Sequence, residues 1–256
     1  MIEIIDSHTH IDTAPFDPDR EEVIERALAA GVTTMINIGA SEGFLSNDRS
    51  IALAEKYDCI YATAGIHPHD AEVEIDRGRL VELAKHPKVV AIGETGLDFF
   101  RDWSPQDLQY KWFRLQIEIA HEVKKPLIIH SRSAGEQCYE ILKEMEAEKV
   151  GGVFHCFAED AQFAKKLAQI NFLVSFPGPV TFKKSEDVRT VVKEVPLEQI
   201  MVETDAPYLA PEPFRGRRCE PAHTIHTAKK IAEVKEIPFE QCARILSQTT
   251  RDFFKI

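Results

Sequence analysis

The sequence has no hydrophobic run long enough to cross a lipid bilayer, and no basic segment precedes its first apolar stretch. Only five of its 256 residues are cysteines, and none of them forms a Cys-x-x-Cys pair. The cysteines therefore indicate free thiols in a reducing compartment and not a disulfide framework. These absences predict a cytoplasmic protein that has no membrane partner.

Basic residues are outnumbered, because 31 lysines and arginines stand against 42 aspartates and glutamates and give a formal net charge of −11. This charge argues against a broad, non-specific grip on nucleic acid, which needs many lysine and arginine contacts to phosphate. One dense basic segment, PFRGRRCEP, contains Arg215, Arg217 and Arg218. It predicts either a small basic patch at the entrance of a site on an otherwise acidic protein, suited to an anionic substrate, or a solvated loop. No segment indicates an obligate protein partner.

Linkers, internal repeats and low-complexity segments are absent as well. Apolar strand-like runs alternate with amphipathic segments, and the helices are predicted near residues 18–30, 45–57, 77–86, 105–123, 135–149, 161–169, 186–193, 224–235 and 239–246. Strands that are continuous apolar runs are typical of a parallel sheet covered by helices. Eight such units predict a single domain over residues 1–256 with an α/β fold, the (β/α)₈ TIM barrel; a doubly wound open sheet is the alternative.

Five of the strand-like runs end in side chains that bind metals. The six residues are His8, His10, Glu94, His130, His155 and Asp205. In a (β/α)₈ barrel the carboxyl ends of all strands meet at one face, so we expect these residues to converge there.

His8 and His10 are two residues apart, so on a strand their side chains point to the same face and can bind one ion. Histidine nitrogen with carboxylate oxygen suits Zn²⁺, Mn²⁺ or Fe²⁺, and a carboxylate can bridge two ions. Six ligands favour a binuclear site. Two such ions lower the pKa of a bound water and stabilise charge on a phosphate, and a carboxylate such as Asp205 is a plausible general base.

Seven segments in order resemble a known family closely: DSHTHID, GIHPHD, AIGETGLDFFRD, PLIIHSR, GVFHCF, ETDAPYLAP and RGRRCEPA. They are similar to the successive motifs of TatD-type metal-dependent deoxyribonucleases of the amidohydrolase superfamily. The resemblance covers the chain from Asp6 to about Ala222. It implies hydrolysis of DNA phosphodiester bonds, commonly from the 3′ end, with two divalent ions (Mg²⁺, Mn²⁺ or Zn²⁺).

The resemblance also implies roles for individual residues. His8, His10 and Asp205 would hold one ion and His130 with His155 the other, while Glu94 would bridge the two and act with Asp205 in catalysis. The predicted substrate contacts are His67, His69, Arg132 and Arg217. Asp98, Arg101 and Asp102 are predicted to form an ion-pair network that shapes a loop.

Five positions depart from the family pattern, and none of them is a predicted metal ligand; one lies in HCFAED, which lacks the glycine usual after HCF. Phe99 and Phe100 stand where tyrosine is frequent, Ser133 where aspartate is usual, and Cys219 where asparagine is common. They bear on substrate preference. Two other functions stay open: hydrolysis of a small ester, lactone or cyclic amide at the same centre, and a non-catalytic binding protein stabilised by zinc.

Overall fold

The computed structural model describes residues 3–73, 76–101 and 103–256, so Asp102 of the predicted loop network lies outside the described residues. Eight parallel strands are ordered β1 to β8 and alternate with helices, which confirms the predicted (β/α)₈ class. The strands are β1 Ile4–Thr9, β2 Val32–Asn37, β3 Ile60–Ala64, β4 Val89–Asp98, β5 Leu127–Arg132, β6 Gly152–Phe154, β7 Phe172–Phe176 and β8 Ile200–Val202.

The predicted helices are present, with small differences in their bounds. They are α1 Arg20–Ala30, α2 Phe44–Lys56, α3 Arg77–Lys85, α4 Gln106–Val123, α5 Gly135–Glu144, α6 Ala161–Ala168, α7 Glu186–Glu194, α8 Thr224–Val234 and α9 Phe239–Phe254. Gly31 caps the C-terminus of α1, and its φ of 95° places it in the left-handed region that suits this position. α9 is longer than predicted, because its buried face continues through Thr250 to Phe254. Within the described residues, no helix combines the length and hydropathy needed to cross a membrane.

The chain divides into two compact units. The first comprises Met1–Asn37, Cys156–Lys166 and Leu173–Ile256, and the second comprises Ile38–His155 and Leu167–Phe172.

In the first unit, β1 pairs with β2 and β7 pairs with β8, all in parallel. A parallel bridge between Thr9 and Ala206 joins the end of β1 to the segment after β8. All six residues of β1 are buried, as expected for a strand that is covered on both faces. The core of the first unit includes Phe16, Met35 and Phe176, each with no exposed surface.

In the second unit, β3, β4, β5 and β6 pair in order and in parallel. β4 is ten residues long and buried throughout, and α4 covers it with apolar side chains such as Phe113 and Ile117. The prediction that Glu94 ends its strand is wrong, because β4 continues to Asp98. His130 likewise lies inside β5, two residues before Arg132 ends the strand.

Candidate functional site

Each predicted metal ligand lies on a strand or shortly after one. His8, Glu94 and His130 lie within β1, β4 and β5; His10 and His155 directly follow β1 and β6; and Asp205 follows β8 by three residues. His67 precedes a short 3₁₀ turn, Pro68–Asp70, that contains His69. Arg132 is the last residue of β5, and Arg217 lies in the loop between β8 and α8.

The first unit brings His8, His10 and Asp205 together. Nε2 of His8 lies 3.2 Å from Nε2 of His10. Oδ1 of Asp205 lies 3.8 Å from Nε2 of His8 and 3.4 Å from Nε2 of His10. His8 and His10 are buried, and the Asp205 side chain is 15% exposed. Three potential ligand atoms thus face one another in a nearly closed space.

This triad has the spacing that a divalent ion requires. Ligand atoms about 2.1 Å from a tetrahedral ion lie ~3.4 Å from one another, close to the distances within the triad. Two imidazole nitrogens that face each other at 3.2 Å need a proton or a cation between their lone pairs. The residues therefore fit a divalent metal ion.

A buried hydrogen-bond network holds the Asp205 segment against β1. Asp6 accepts hydrogen bonds from the backbone N–H of Thr204 at 2.9 Å and from its hydroxyl at 2.6 Å. The N–H of Asp205 donates to the carbonyl of His8 at 2.9 Å. Asp205 has a φ of 56°, a conformation that is uncommon for residues other than glycine. The network stabilises this conformation and so places the carboxylate beside the two histidines.

The second unit brings Glu94 together with three histidines. Oε1 of Glu94 lies 2.8 Å from Nδ1 of His130, 2.8 Å from Nε2 of His155 and 3.3 Å from Nε2 of His67. Burial alone raises the pKa of Glu94, but the charge on His155, the contact with His67 and the hydrogen bonds with His130 and His155 outweigh it. The net effect holds the pKa of Glu94 well below its usual range, so the carboxylate keeps its charge.

His67 lies among metal-type atoms, but its tautomer favours another role. The backbone N–H of His69 donates to Nδ1 of His67 at 3.0 Å. Burial lowers the pKa of His67 to about 4, so the ring is neutral at pH 7. A neutral ring whose Nδ1 accepts a hydrogen bond carries its proton on Nε2. His67 therefore presents an N–H donor toward Glu94 and His130, and not a lone pair for a metal.

Asp98 connects two of the histidines. Its Oδ2 accepts hydrogen bonds from Nε2 of His69 at 2.7 Å and from Nε2 of His130 at 3.0 Å. Burial lowers the pKa of His130, but its hydrogen bonds to the Asp98 and Glu94 carboxylates outweigh burial and raise the pKa overall, with the Nε2 proton facing Asp98. A carboxylate that fixes the tautomer of a ligand histidine in this way is a frequent feature of metal sites. Oε1 of Glu94 and Nδ1 of His130 lie 2.8 Å apart, a spacing that either a shared proton or a shared metal ion would fill.

The predicted ion-pair network around Asp98 has a different form. The carboxylate accepts the backbone N–H groups of Phe100 at 3.0 Å and Arg101 at 2.8 Å, while its other oxygen binds histidines. Asp98 is four residues after Glu94 on one strand, so both side chains lie on the same face. That spacing is the signal that would have marked Asp98 as part of the site. Asp6, two residues before His8, carries the same signal.

One of the three arginines of the basic loop is neutralised within the first unit. Arg218 forms ion pairs with Asp19 at 2.7 Å and with Glu220 at 3.0 Å, and Arg26 pairs with the same two carboxylates. The guanidinium of Arg215 lies 4.2 Å from the centre of the Phe182 ring. Arg217 is exposed, and within the described residues its side chain has no hydrogen-bond partner. Among the described residues, Arg215 and Arg217 therefore have no carboxylate partner and are available for an anionic substrate, whereas Arg218 is not.

We expect an Arg218→Gln variant to be less stable than the native protein by a few degrees in its unfolding midpoint at pH 7. The Arg218 and Arg26 hydrogen bonds lower the pKa of Asp19, and they also lower that of Glu220 although its burial opposes the effect. A carboxylate whose pKa is lower in the folded protein than in the unfolded chain stabilises the fold above its unfolded pKa, here roughly pH 4 to 4.5. This stabilisation is lost as the pH falls through the folded pKa. Thermal unfolding from pH 7 to pH 3 should show the difference shrinking below pH 4. A difference that does not vary with pH would contradict this assignment.

Comparisons with known proteins agree with this architecture. The sequence profile of the family described as TatD related DNase matches residues 5–255. The chain belongs to the TatD-related DNase family. It is 45% identical over 255 residues to the uncharacterized metal-dependent hydrolase YabD of Bacillus subtilis, with 99% of each chain covered. It is 34% identical over 257 residues to the uncharacterized metal-dependent hydrolase YcfH of Escherichia coli K12, covering 99% of this chain and 96% of YcfH.

A solved member of the family has the same fold. The crystal structure of YJJV, a TatD homolog from Escherichia coli K12, superimposes with a TM-score of 0.90 at 30% identity and covers 100% of this chain and 99% of its own. Membership identifies this chain as a metal-dependent hydrolase of the TatD family. The histidine and carboxylate clusters described above are the residues that could hold the metal.

Proposed function

We propose that this TatD-family hydrolase is a deoxyribonuclease that cleaves DNA phosphodiester bonds from the 3′ end with two divalent ions. The observation that carries the proposal is the triad of His8, His10 and Asp205, whose ligand atoms lie 3.2 to 3.8 Å apart in a member of this family. Exposed arginines that have no carboxylate partner among the described residues favour a phosphate-containing substrate over an uncharged one.

His8, His10 and Asp205 would hold one ion, and His130 and His155 the other. The bridging role of Glu94 stays a prediction from the family resemblance. When bound, such ions lower the pKa of a water molecule and neutralise charge on phosphate oxygens. Mg²⁺, Mn²⁺ and Zn²⁺ all accept subsets of these donors, so the ligand set alone does not select one of them.

Asp205 would take the proton from the attacking water. Its carboxylate is partly exposed, so a water molecule can approach it, and hydrogen bonds of Asp6 and His8 hold its segment in place. A carboxylate at hydrogen-bond distance from the reacting water is a suitable general base. The same group would thus bind metal and move a proton.

The remaining predicted residues would bind and orient the phosphate. His67 offers its Nε2 proton to a phosphate or leaving oxygen, since its Nδ1 is occupied by the N–H of His69. Arg132 is exposed at the end of β5 and presents a planar fork that matches two phosphate oxygens. Arg217 would contact a more distant phosphate, and His69, held by Asp98, would complete the polar lining.

The experiment that tests the proposal is a cleavage assay with metal-stripped protein and single-stranded DNA labelled at its 5′ end. Mg²⁺, Mn²⁺ or Zn²⁺ is added, bound metal is counted independently, and products are resolved by length. We expect a metal-dependent ladder that shortens from the 3′ end. Lack of cleavage under every metal, with ions bound, would contradict the proposal and direct the search to small esters and cyclic amides.

Two variants make the assay specific. His155→Ala removes a metal ligand and should abolish the ladder, which excludes a contaminating nuclease. Asp205→Asn keeps a side chain of the same shape but a much weaker base, so we expect cleavage to be lost even where ions remain bound. Full activity of Asp205→Asn with both ions present would exclude the base role.

A further inference from the structure

Two large aromatic side chains are exposed beside the Glu94 cluster. Phe100 and Trp103 lie in the loop between β4 and α4 and are 61% and 60% exposed. Arg101 lies between them in sequence, and Arg132 at the end of β5 covers the Phe100 ring. We call the side chains of Phe100, Arg101, Trp103 and Arg132 the aromatic ledge. Exposed large rings that lie together usually mark a binding surface.

Hydrogen bonds hold both ends of this loop. Asp98 accepts the N–H groups of Phe100 and Arg101 at its start. At its end, the hydroxyl of Ser104 donates to the carbonyl of His69 at 2.6 Å. Gln109 of α4 donates to the carbonyls of both Asp98 and Ser104. The two ends of the loop are therefore anchored, which reduces the conformational entropy that Phe100 and Arg101 lose when a ligand binds.

The two arginines of the ledge lie against rings and not against carboxylates. The guanidinium carbon of Arg132 is 4.3 Å from the centre of the Phe100 ring, and that of Arg101 is 5.0 Å from the centre of the Trp103 ring. Within residues 3–73, 76–101 and 103–256, neither guanidinium has an acidic partner. Their charge is thus available to an anionic ligand, while the ring contacts keep them in place.

The ledge adjoins the histidines of the second unit. The ring centres of Trp103 and His69 are 4.4 Å apart in an edge-to-face arrangement. Asp98, which anchors the loop, also binds His69 and His130. A ligand group on the ledge would therefore lie next to the side chains that are proposed to bind the reacting phosphate.

We propose that the aromatic ledge binds single-stranded DNA by stacking a nucleobase on Trp103, while Arg132, held against Phe100, binds the reacting phosphate and Arg101 binds a flanking one. This inference rests on the proposed function and names the form of its substrate. Aromatic faces interleaved with arginines are suited to a single strand, because its bases are unpaired and its phosphates follow at a regular spacing. Two rings are too small an apolar area for a stable protein interface.

Fluorescence of Trp103 measures the stacking directly. The chain has two tryptophans, and Trp112 is engaged elsewhere through its Nε1, which donates to the carbonyl of Ala71. A Trp112→Phe variant loaded with metal is titrated with a hydrolysis-resistant phosphorothioate oligothymidylate and with an abasic strand of the same length. We expect quenching by the thymidylate, and roughly tenfold weaker binding without quenching for the abasic strand. Equal affinity for the two strands, without quenching, would overturn the proposal.

Substitutions separate ring stacking from folding. Trp103→Ala should weaken thymidylate binding roughly tenfold, whereas Trp103→Phe keeps a ring and should retain most of the affinity. The control is Leu45→Ala, which removes another exposed apolar side chain, 63% exposed on α2, and should change nothing. Thermal unfolding of each variant verifies the fold. An affinity of Trp103→Ala equal to that of the native protein would refute the ledge.

The outcomes distinguish this inference from the proposed function. Base-dependent binding without cleavage of ordinary DNA would contradict the deoxyribonuclease and support the ledge. Metal-dependent cleavage that is equally fast for native protein, Trp103→Ala and abasic strands would support the deoxyribonuclease and refute the ledge. Tighter binding of oligouridylate than of oligothymidylate would replace DNA by RNA as the occupant and overturn the proposal as stated.

Discussion

Glu94→Gln is expected to lower kcat/KM for DNA by roughly a thousandfold, equivalent to about 4 kcal/mol, and to weaken metal binding. The carboxylate oxygen lies within 3.3 Å of ring nitrogens from His67, His130 and His155, and its side chain is 4% exposed. Glutamine has the same shape, but it is neutral and offers an N–H₂ group to nitrogens that need an acceptor or a shared cation. Calorimetric titration with Mn²⁺ or Zn²⁺ measures the affinity, and steady-state cleavage measures the rate.

The matched control is Glu140→Gln, the same chemical change at an exposed position of α5. It should leave metal affinity and rate unchanged, because the side chain is solvated. If Glu94→Gln bound metal with native stoichiometry and cleaved DNA at the native rate, Glu94 would have no place in the metal centre.

Gly96→Ala is expected to lower the free energy of unfolding by about 3 kcal/mol or more. Gly96 pairs with His130 between β4 and β5, has a φ of 139°, and leaves no room for a side chain. A Cβ at this position would lie 2.0 Å from the carbonyl oxygen of His130. One strand would have to move, and His130 would move with it. Urea denaturation measures the stability, and metal titration measures the displacement of His130.

Gly78→Ala in α3 is the control for this change. Among the described residues, the added methyl group there has only the Asp76 carboxylate nearby, at 3.3 Å, and alanine is the better helix former by up to ~1 kcal/mol. We expect its stability to be equal to that of the native protein or higher. If the Gly96→Ala variant unfolded at the same urea concentration as the native protein, β4 and β5 could separate without loss of stability, which would contradict the prediction.

The fold class could be predicted because it depends on patterns within short segments. The buried residues of β1 and β4 follow one another without a break, which is typical of parallel strands covered by helices. The predicted bounds of strands and helices were less accurate where tertiary contacts extend an element beyond its local sequence pattern. β4 continues past Glu94 because it pairs with β5 as far as Asp98 and Arg132, a contact that the sequence of β4 alone does not contain.

The candidate site was predicted in its residue types but not in its internal order. The sequence identified His67 as a substrate contact and Asp98 as a loop residue. In the structure, Nδ1 of His67 accepts the N–H of His69, so Nε2 of His67 is a hydrogen-bond donor, and Asp98 binds His69 and His130. Which nitrogen of a histidine carries the proton depends on the atom that its other nitrogen faces. For His130 this atom belongs to another strand, the Asp98 carboxylate, whereas for His67 it is the N–H of His69 in the same turn.

The sequence by itself determined the alternation of eight strands with helices and the kinds of metal-type side chain on or after the strands, because periodicity and donor chemistry are local properties. Only the tertiary structure decided the protonation of His67, the anchoring of His130 by Asp98 and the neutralisation of Arg218 by Asp19. Asp19 and Arg218 are 199 positions apart in the chain yet 2.7 Å apart in space. Such contacts arise when the completed fold brings distant segments together, and they set the charge and the hydrogen-bond directions on which the proposed chemistry depends.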